Sequence, residues 1–176
     1  MVVTIDSISE GSYTALTVTA LSGLASSATA GWQSDRIDNQ TTTKALDYEI
    51  FIKIPMTTTA PANDKCVYVL VSAAMTSDGS NWLQADCGST VLPTGTQGTI
   101  TTASISTSVT NLKMLGILQV PTAAMVVQGS FLLSNAVGNY IPDGFSLILM
   151  NYSGAAVSSS SQSSIAYRAI NVSNSS

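Results

Sequence analysis

The sequence predicts an all-β fold: a single β-sandwich or jelly-roll-like domain of about seven to nine antiparallel strands across residues 1–176. Three observations predict it. β-Branched and aromatic residues recur with a period of two in short runs. Those runs are cut by Gly, Pro, Asn, Asp and Ser. No stretch gathers Ala, Leu, Glu, Lys and Arg at 3.6-residue spacing over three turns. A chain of this length buries roughly 69% of its unfolded surface by area scaling, enough for one well-formed core and too little for two full domains.

From the N-terminus, residues 1–12 carry no strong core signal and read as an arm. Residues 13–19 form a Thr-rich candidate strand, and 20–45 are small and polar. The clearest strand is 46–54. Leu46, Tyr48, Ile50, Ile52 and Ile54 point one way, Asp47, Glu49 and Lys53 the other, and Phe51 interrupts the polar face. Pro55 closes the run because it cannot donate to a ladder. Cys66–Ala74 is apolar on both faces, as a covered central strand would be, and 112–120, 124–134 and 145–152 look similar. Turns are expected at Thr76-Ser77-Asp78-Gly79-Ser80 and at Pro142-Asp143-Gly144. Residues 84–111 read as a long loop or edge hairpin, with a Thr-rich candidate strand at 99–106. The Ser-rich 153–164 joins the last two strands, 164–172 is the final strand, and 171–176 is a short tail.

Composition excludes several function classes. Charged residues are 9% of the chain, against roughly 25% in ordinary globular domains. Ser and Thr number 48. The six cations, Arg36, Lys44, Lys53, Lys65, Lys113 and Arg168, are scattered, so no basic surface for nucleic acid is expected. No apolar run approaches the roughly 20 residues of a membrane helix, and the first residues lack a secretory signal pattern. Two cysteines make neither a disulfide scaffold nor a zinc site.

With no histidine, neither a Ser-His-Asp nor a Cys-His arrangement can exist. A carboxylate pair remains formally possible, since glycosidases use two Asp/Glu, and Asp35 with Asp38, and Asp47 with Glu49, are close in sequence. Asp47 and Glu49 would share a strand face about 6–7 Å apart, where a solvated or salt-bridged sheet face is the commoner outcome. No catalytic, metal or cofactor site is therefore expected. Asp78-Gly79-Ser80-Asn81-Trp82 reads as a hairpin turn. Its functional alternative is a ligand loop in which Trp82 stacks on a sugar and Asp78 and Asn81 bind its hydroxyls. Cys66 and Cys87 flank this turn; a disulfide would need a bulge to bring them opposite, and the alternative is two buried thiols. Sequons at Asn39, Asn151, Asn171 and Asn174 are near what nine asparagines in a Ser/Thr-rich chain give by chance.

Several ordered stretches resemble the capsid decoration, or cement, proteins of tailed bacteriophages. They are Gly31-Trp32-Gln33-Ser34-Asp35-Arg36-Ile37-Asp38-Asn39, the run from Ala45 to Pro55, the segment from Thr57 to Lys65 leading into Val67-Tyr68-Val69, Ser77-Asp78-Gly79, Leu115-Gly116-Ile117 and Asn151-Tyr152-Ser153-Gly154. The resemblance implies a structural, non-enzymatic sandwich on the outer surface of a virion head. The major capsid protein is its expected partner, and it associates with itself as a homo-oligomer, with a trimer expected from the three-fold positions of a head lattice. Low charge fits such dense packing, since large surfaces can meet without burying unpaired ions. The competing class is a glycan-binding sandwich of a phage tail or cell surface, which should expose several aromatics on one face; Trp32, Trp82 and some tyrosines are the available ones. A secreted hydrolase is the most distant alternative.

Overall fold

A computed structural model describes residues 7–40, 44–74, 95–101 and 112–173. In chain order these form β1 (Ser7–Glu10), β2 (Thr14–Ala15), a 3-10 turn (Thr19–Leu21), β3 (Ala30–Gln33), β4 (Ile37–Asp38), β5 (Asp47–Pro55), β6 (Cys66–Ala74), β7 (Gly98–Thr101), β8 (Lys113–Gln119), β9 (Val126–Leu132), the one-turn helix α1 (Ser134–Val137), β10 (Gly144–Tyr152) and β11 (Ser164–Ser173).

The strands make two antiparallel sheets packed as a sandwich. The first runs β1–β11–β5–β9, with β2 following β1 along the same edge of β11. The second runs β7–β3–β10–β6–β8, with β4 following β3 along the edge of β10. The chain passes repeatedly between the layers: β1 and β2 lie in the first, β3 and β4 in the second, β5 in the first, β6 to β8 in the second, then β9, β10 and β11 alternate.

Alternation along β5 and β11 builds one wall of the core. Tyr48, Ile50, Ile52 and Ile54 face inward beside Ile165. The other wall is Val67, Val69 and Val71 of β6 with Phe145, Leu147 and Leu149 of β10. Trp32 and Ile37 close it from β3 and β4. Burying aliphatic and aromatic side chains of this size contributes roughly 1.5–3 kcal/mol each, so this inter-sheet layer dominates stability.

The outer face of the second sheet is also covered along β6 and β10. Leu70, Ile148 and Met150 form a second buried cluster with Ile100 and Leu112, and Tyr68 packs against it. This accounts for the apolar residues on both faces of β6 and β10 within the chain itself. β9 differs from the expectation of two covered faces. Among the described residues it is an edge strand; Val127 is buried while Val126 and Leu132 stay exposed. On the side where β8 and β9 meet, the Phe131 ring lies against Gly116 and Gly129, where an added Cβ on either glycine would strike it.

Other differences are at short or terminal elements. Ser7–Glu10, expected within an arm, pairs with β11 from Ile170 to Ser173, so the segment is held by ladder hydrogen bonds. Asn171 onward likewise continues β11; residues 1–6 and 174–176 lie outside the described residues. β3 and β4 arise in a stretch with no strand signal, because four and two residues are too few to display a period. Leu46 is 59% exposed and lies outside the inward row of β5. The Thr-rich run at 13–19 contributes only β2 before turning; β7 covers the start of the expected strand at 99–106, the rest of which lies outside the described residues.

Candidate functional site

The residues singled out from sequence fall into three groups. Asp78, Asn81, Trp82 and Cys87 lie outside the described residues. Cys66 is a buried free thiol, and burial pushes its pKa up. Trp32 is wholly buried in the core, so it cannot stack on a glycan.

The acids are engaged with neighbours. Asp35 Oδ1 accepts from the Gln97 backbone N–H at 2.8 Å, and Asp38 Oδ1 from that of Gln40 at 3.1 Å. Asp47 holds the start of α1: its Oδ1 accepts from the Ser134 N–H at 3.0 Å, and its Oδ2 from the Ser134 hydroxyl at 2.6 Å. Two sequons are also structural. Asn39 Nδ2 donates to the Pro142 carbonyl at 3.2 Å, while its Oδ1 accepts from the Ala45 N–H and the Tyr48 hydroxyl, both at 2.9 Å. Asn151, fully buried, donates to the Ala155 carbonyl at 2.7 Å and accepts from the Ser153 hydroxyl at 2.7 Å. The stretch 31–39 is thus largely occupied in the fold. Arg36 lies across Gly144, where any side chain would strike the guanidinium.

The outer face of the first sheet carries the most organised surface. Glu49 and Arg168 are register partners on β5 and β11. Arg168 Nε and Nη2 each reach Glu49 Oε2 at 2.6 Å, and Nη1 reaches Glu10 Oε2 at 2.6 Å. The Tyr13 hydroxyl donates to Glu49 Oε2 at 3.0 Å, and Ser130 donates to Oε1 at 2.6 Å. The guanidinium carbon sits 4.8 Å from the centre of the Tyr13 ring, within cation–π range. The hydrogen bond from Ser130, then that from Arg168, lowers the Glu49 pKa. The bond to Glu49 raises both the Tyr13 and Arg168 pKa values. The cluster therefore sets the Arg168 cation against two carboxylates, Glu49 and Glu10, for a net charge of −1, and leaves Glu49 a weak base. Ile8, 69% exposed, and the exposed Leu132 flank it on β1 and β9, while the exposed Val126 lies at the far end of β9. Sequence pattern placed Glu49 outward, but no signal in the chain connects positions 10, 13, 49, 130 and 168; only strand register does.

A second feature is a cleft of about 480 Å³ between the β2-to-β3 connection and the Ser-rich loop before β11. It is lined by Thr17, Thr19, Ser22, Ser159, Ser161 and Gln162, with Val18 and Ser163. The lining has hydroxyls and one amide but no charged group. Ser163 is 9% exposed, and its hydroxyl has no partner among the described residues.

No family model, curated protein or solved structure matches the chain. Among the described residues no three His, Cys, Asp or Glu residues group as metal ligands, and no helix is long and apolar enough to cross a membrane.

Proposed function

We propose that this chain is a decoration protein of a tailed-phage head, binding the outer surface of the capsid and stabilising the lattice of the major capsid protein. The single observation that carries the reading is the outer face of the first sheet. There Arg168 is paired with Glu49 and Glu10, and exposed Ile8 and Leu132 lie beside the cluster. A face on which the Arg168 guanidinium is already paired can meet another protein without stranding that charge. The role is structural rather than catalytic, with no cofactor, nucleic acid or membrane as partner, and its place is the virion exterior.

The strand order supports the same reading at the level of architecture. With β1 and β2 taken as one edge strand and β3 and β4 as another, the sheets read β1/2–β11–β5–β9 and β3/4–β10–β6–β8. We read this as eight strands wound between two layers in a jelly roll, with β7 added at an edge, an architecture found in both viral capsid and lectin domains. The chain acts as a homo-oligomer, which multiplies weak contacts by holding several together at high effective concentration. Three copies would match the three-fold positions of a head lattice; the order itself depends on the contact the chain offers to its own kind.

The test compares heads carrying and lacking the protein by negative-stain imaging, and their resistance to heat and chelators. Extra density on the outer surface and a loss of resistance in its absence are expected. Heads that neither bind the protein nor change in stability would defeat the reading. A glycan-binding role is the second reading, favoured by the uncharged hydroxyl-lined cleft beside Ser163. Protein-detected NMR titration with neutral oligosaccharides, with shifts confined to residues 17–22 and 159–163, would select it.

A further inference from the structure

We infer that β9 is a self-pairing edge, through which two copies of this chain join their first sheets into one continuous antiparallel sheet. The inference rests on the geometry of β9 and not on what the protein binds.

Hydrogen-bond phase comes first. The β5–β9 ladder pairs Glu49 with Leu132 through Pro55 with Val126, without a register shift. It is bracketed by Met56 N–H donating to the Met125 carbonyl at 2.8 Å and Leu133 N–H donating to the Tyr48 carbonyl at 2.9 Å. Backbone groups alternate sides along a strand. Odd-numbered residues of β9 therefore spend theirs on β5, and Val126, Gln128, Ser130 and Leu132 direct theirs off the sheet edge. All four are exposed, and among the described residues β9 pairs with no strand but β5.

The side-chain pattern supplies the partner. Val126-Val127-Gln128-Gly129-Ser130-Phe131-Leu132 is symmetric about Gly129: two apolar residues, a polar one, glycine, a polar one, two apolar. A two-fold axis at Gly129 sets Val126 against Leu132 of a second copy, Val127 against Phe131, and Gln128 against Ser130. Apolar positions meet apolar and polar meet polar, so the two-fold contact is self-complementary, as an isologous one must be. The same register pairs even with even residues, so the outward backbone groups meet their complements and exchange about eight hydrogen bonds, two per facing pair.

Charge and edge shape favour this strand over β8 and over the β1/β2 edge. β9 has no charged residue and no proline, the usual protections of an exposed edge. The nearest cation, Lys53, pairs with Gln128 on β5 and would lie three strands, about 14 Å, from its symmetry mate, beyond a Debye length. By contrast, β8 carries Lys113 and faces a register irregularity at Val69/Leu70, while the β1/β2 edge is broken and holds Glu10. Exposed Met114 and Ile117 of β8 would extend the contact into the second sheet. A two-fold contact closes at two copies, so it favours a dimer over the trimer expected from lattice symmetry.

Light scattering on the full chain should give twice the 18.2 kDa monomer mass. Gln128→Pro removes an outward N–H without touching the β5 ladder, and Val126→Lys places a charge on the edge. Both should halve the mass with unchanged circular dichroism. Mixing a Gln128→Cys chain with a Ser130→Cys chain should give an interchain disulfide that neither forms alone, since the facing Cα atoms would lie about 5.5 Å apart. A wild-type monomer, a trimer, or a dimer that both edge variants leave intact and that fails to cross-link would overturn the inference. None of these readings involves phage heads, so a failure here is distinguishable from a failure of the decoration role.

Discussion

Ser72 and Ser146 face each other in register across β6 and β10, fully buried, and neither hydroxyl has a hydrogen-bond partner among the described residues. Both lie on the outer face of the second sheet, whose neighbouring positions are Leu70 and Ile148. A buried hydroxyl without a partner has lost its hydration with no compensation. Ser72→Ala or Ser146→Ala should therefore stabilise the protein by about 1 kcal/mol, raising Tm by about 2–4 °C. Calorimetry checks this; a lower Tm would mean that the hydroxyls bind water or a ligand.

Asn39 ties three segments together at one end of the sandwich, contacting Pro142, Ala45 and Tyr48. Asn39→Ala leaves a buried N–H, a carbonyl and a hydroxyl without their partner and should cost about 3 kcal/mol by urea denaturation. Tyr48→Phe should cost less, about 1 kcal/mol, because only one bond goes. Expression in a glycosylating host should leave Asn39 and Asn151 unmodified, as mass spectrometry of tryptic peptides would report, since both side chains are buried in the fold.

Acid should weaken the first sheet. The Glu49 pKa is lowered from its ordinary 4.5, chiefly by Ser130 and then by Arg168. Asp143 is lowered from 3.8 by Lys44 and then Gln40. A lowered folded-state pKa gives stability that is present above the unfolded value and lost as pH falls through the folded one. Tm should thus decline below about pH 4.5, and Glu49→Gln should flatten that decline. At the alkaline end, burial raises the Tyr48 pKa from 10.0 to about 12. Its contribution is present below pH 10.0 and is lost as pH rises toward 12. Thermal melts across both ranges, with Tyr48→Phe as the alkaline control, test the two signs.

The Phe131 ring closes the side of the sandwich over Gly116. Gly116→Ala puts a methyl into that ring and should destabilise by about 1–3 kcal/mol. In a Phe131→Ala background the same change should cost little. The double-mutant cycle reads the coupling directly, and additive effects would refute the contact.

The sequence by itself determined the all-β class and the long strands. β5, β6, β8, β10 and β11 lie within a residue or two of their expected bounds, because seven to ten residues facing a core must show their period. It also placed Glu49 and Asp47 on the polar side of β5. Tertiary structure decided the rest. β1 to β4 exist because β11 and β10 offer ladder edges to residues with weak preferences of their own. Trp32, an aromatic that a chain-level reading could place on a glycan, went into the core because β3 lies against β10 with that side chain facing inward. Both faces of β6 are buried within one chain, whereas β9, with a similar composition, was left at an edge. Composition records how much apolar surface a strand has; only the order of strands in the sheet decides which of it the chain can cover.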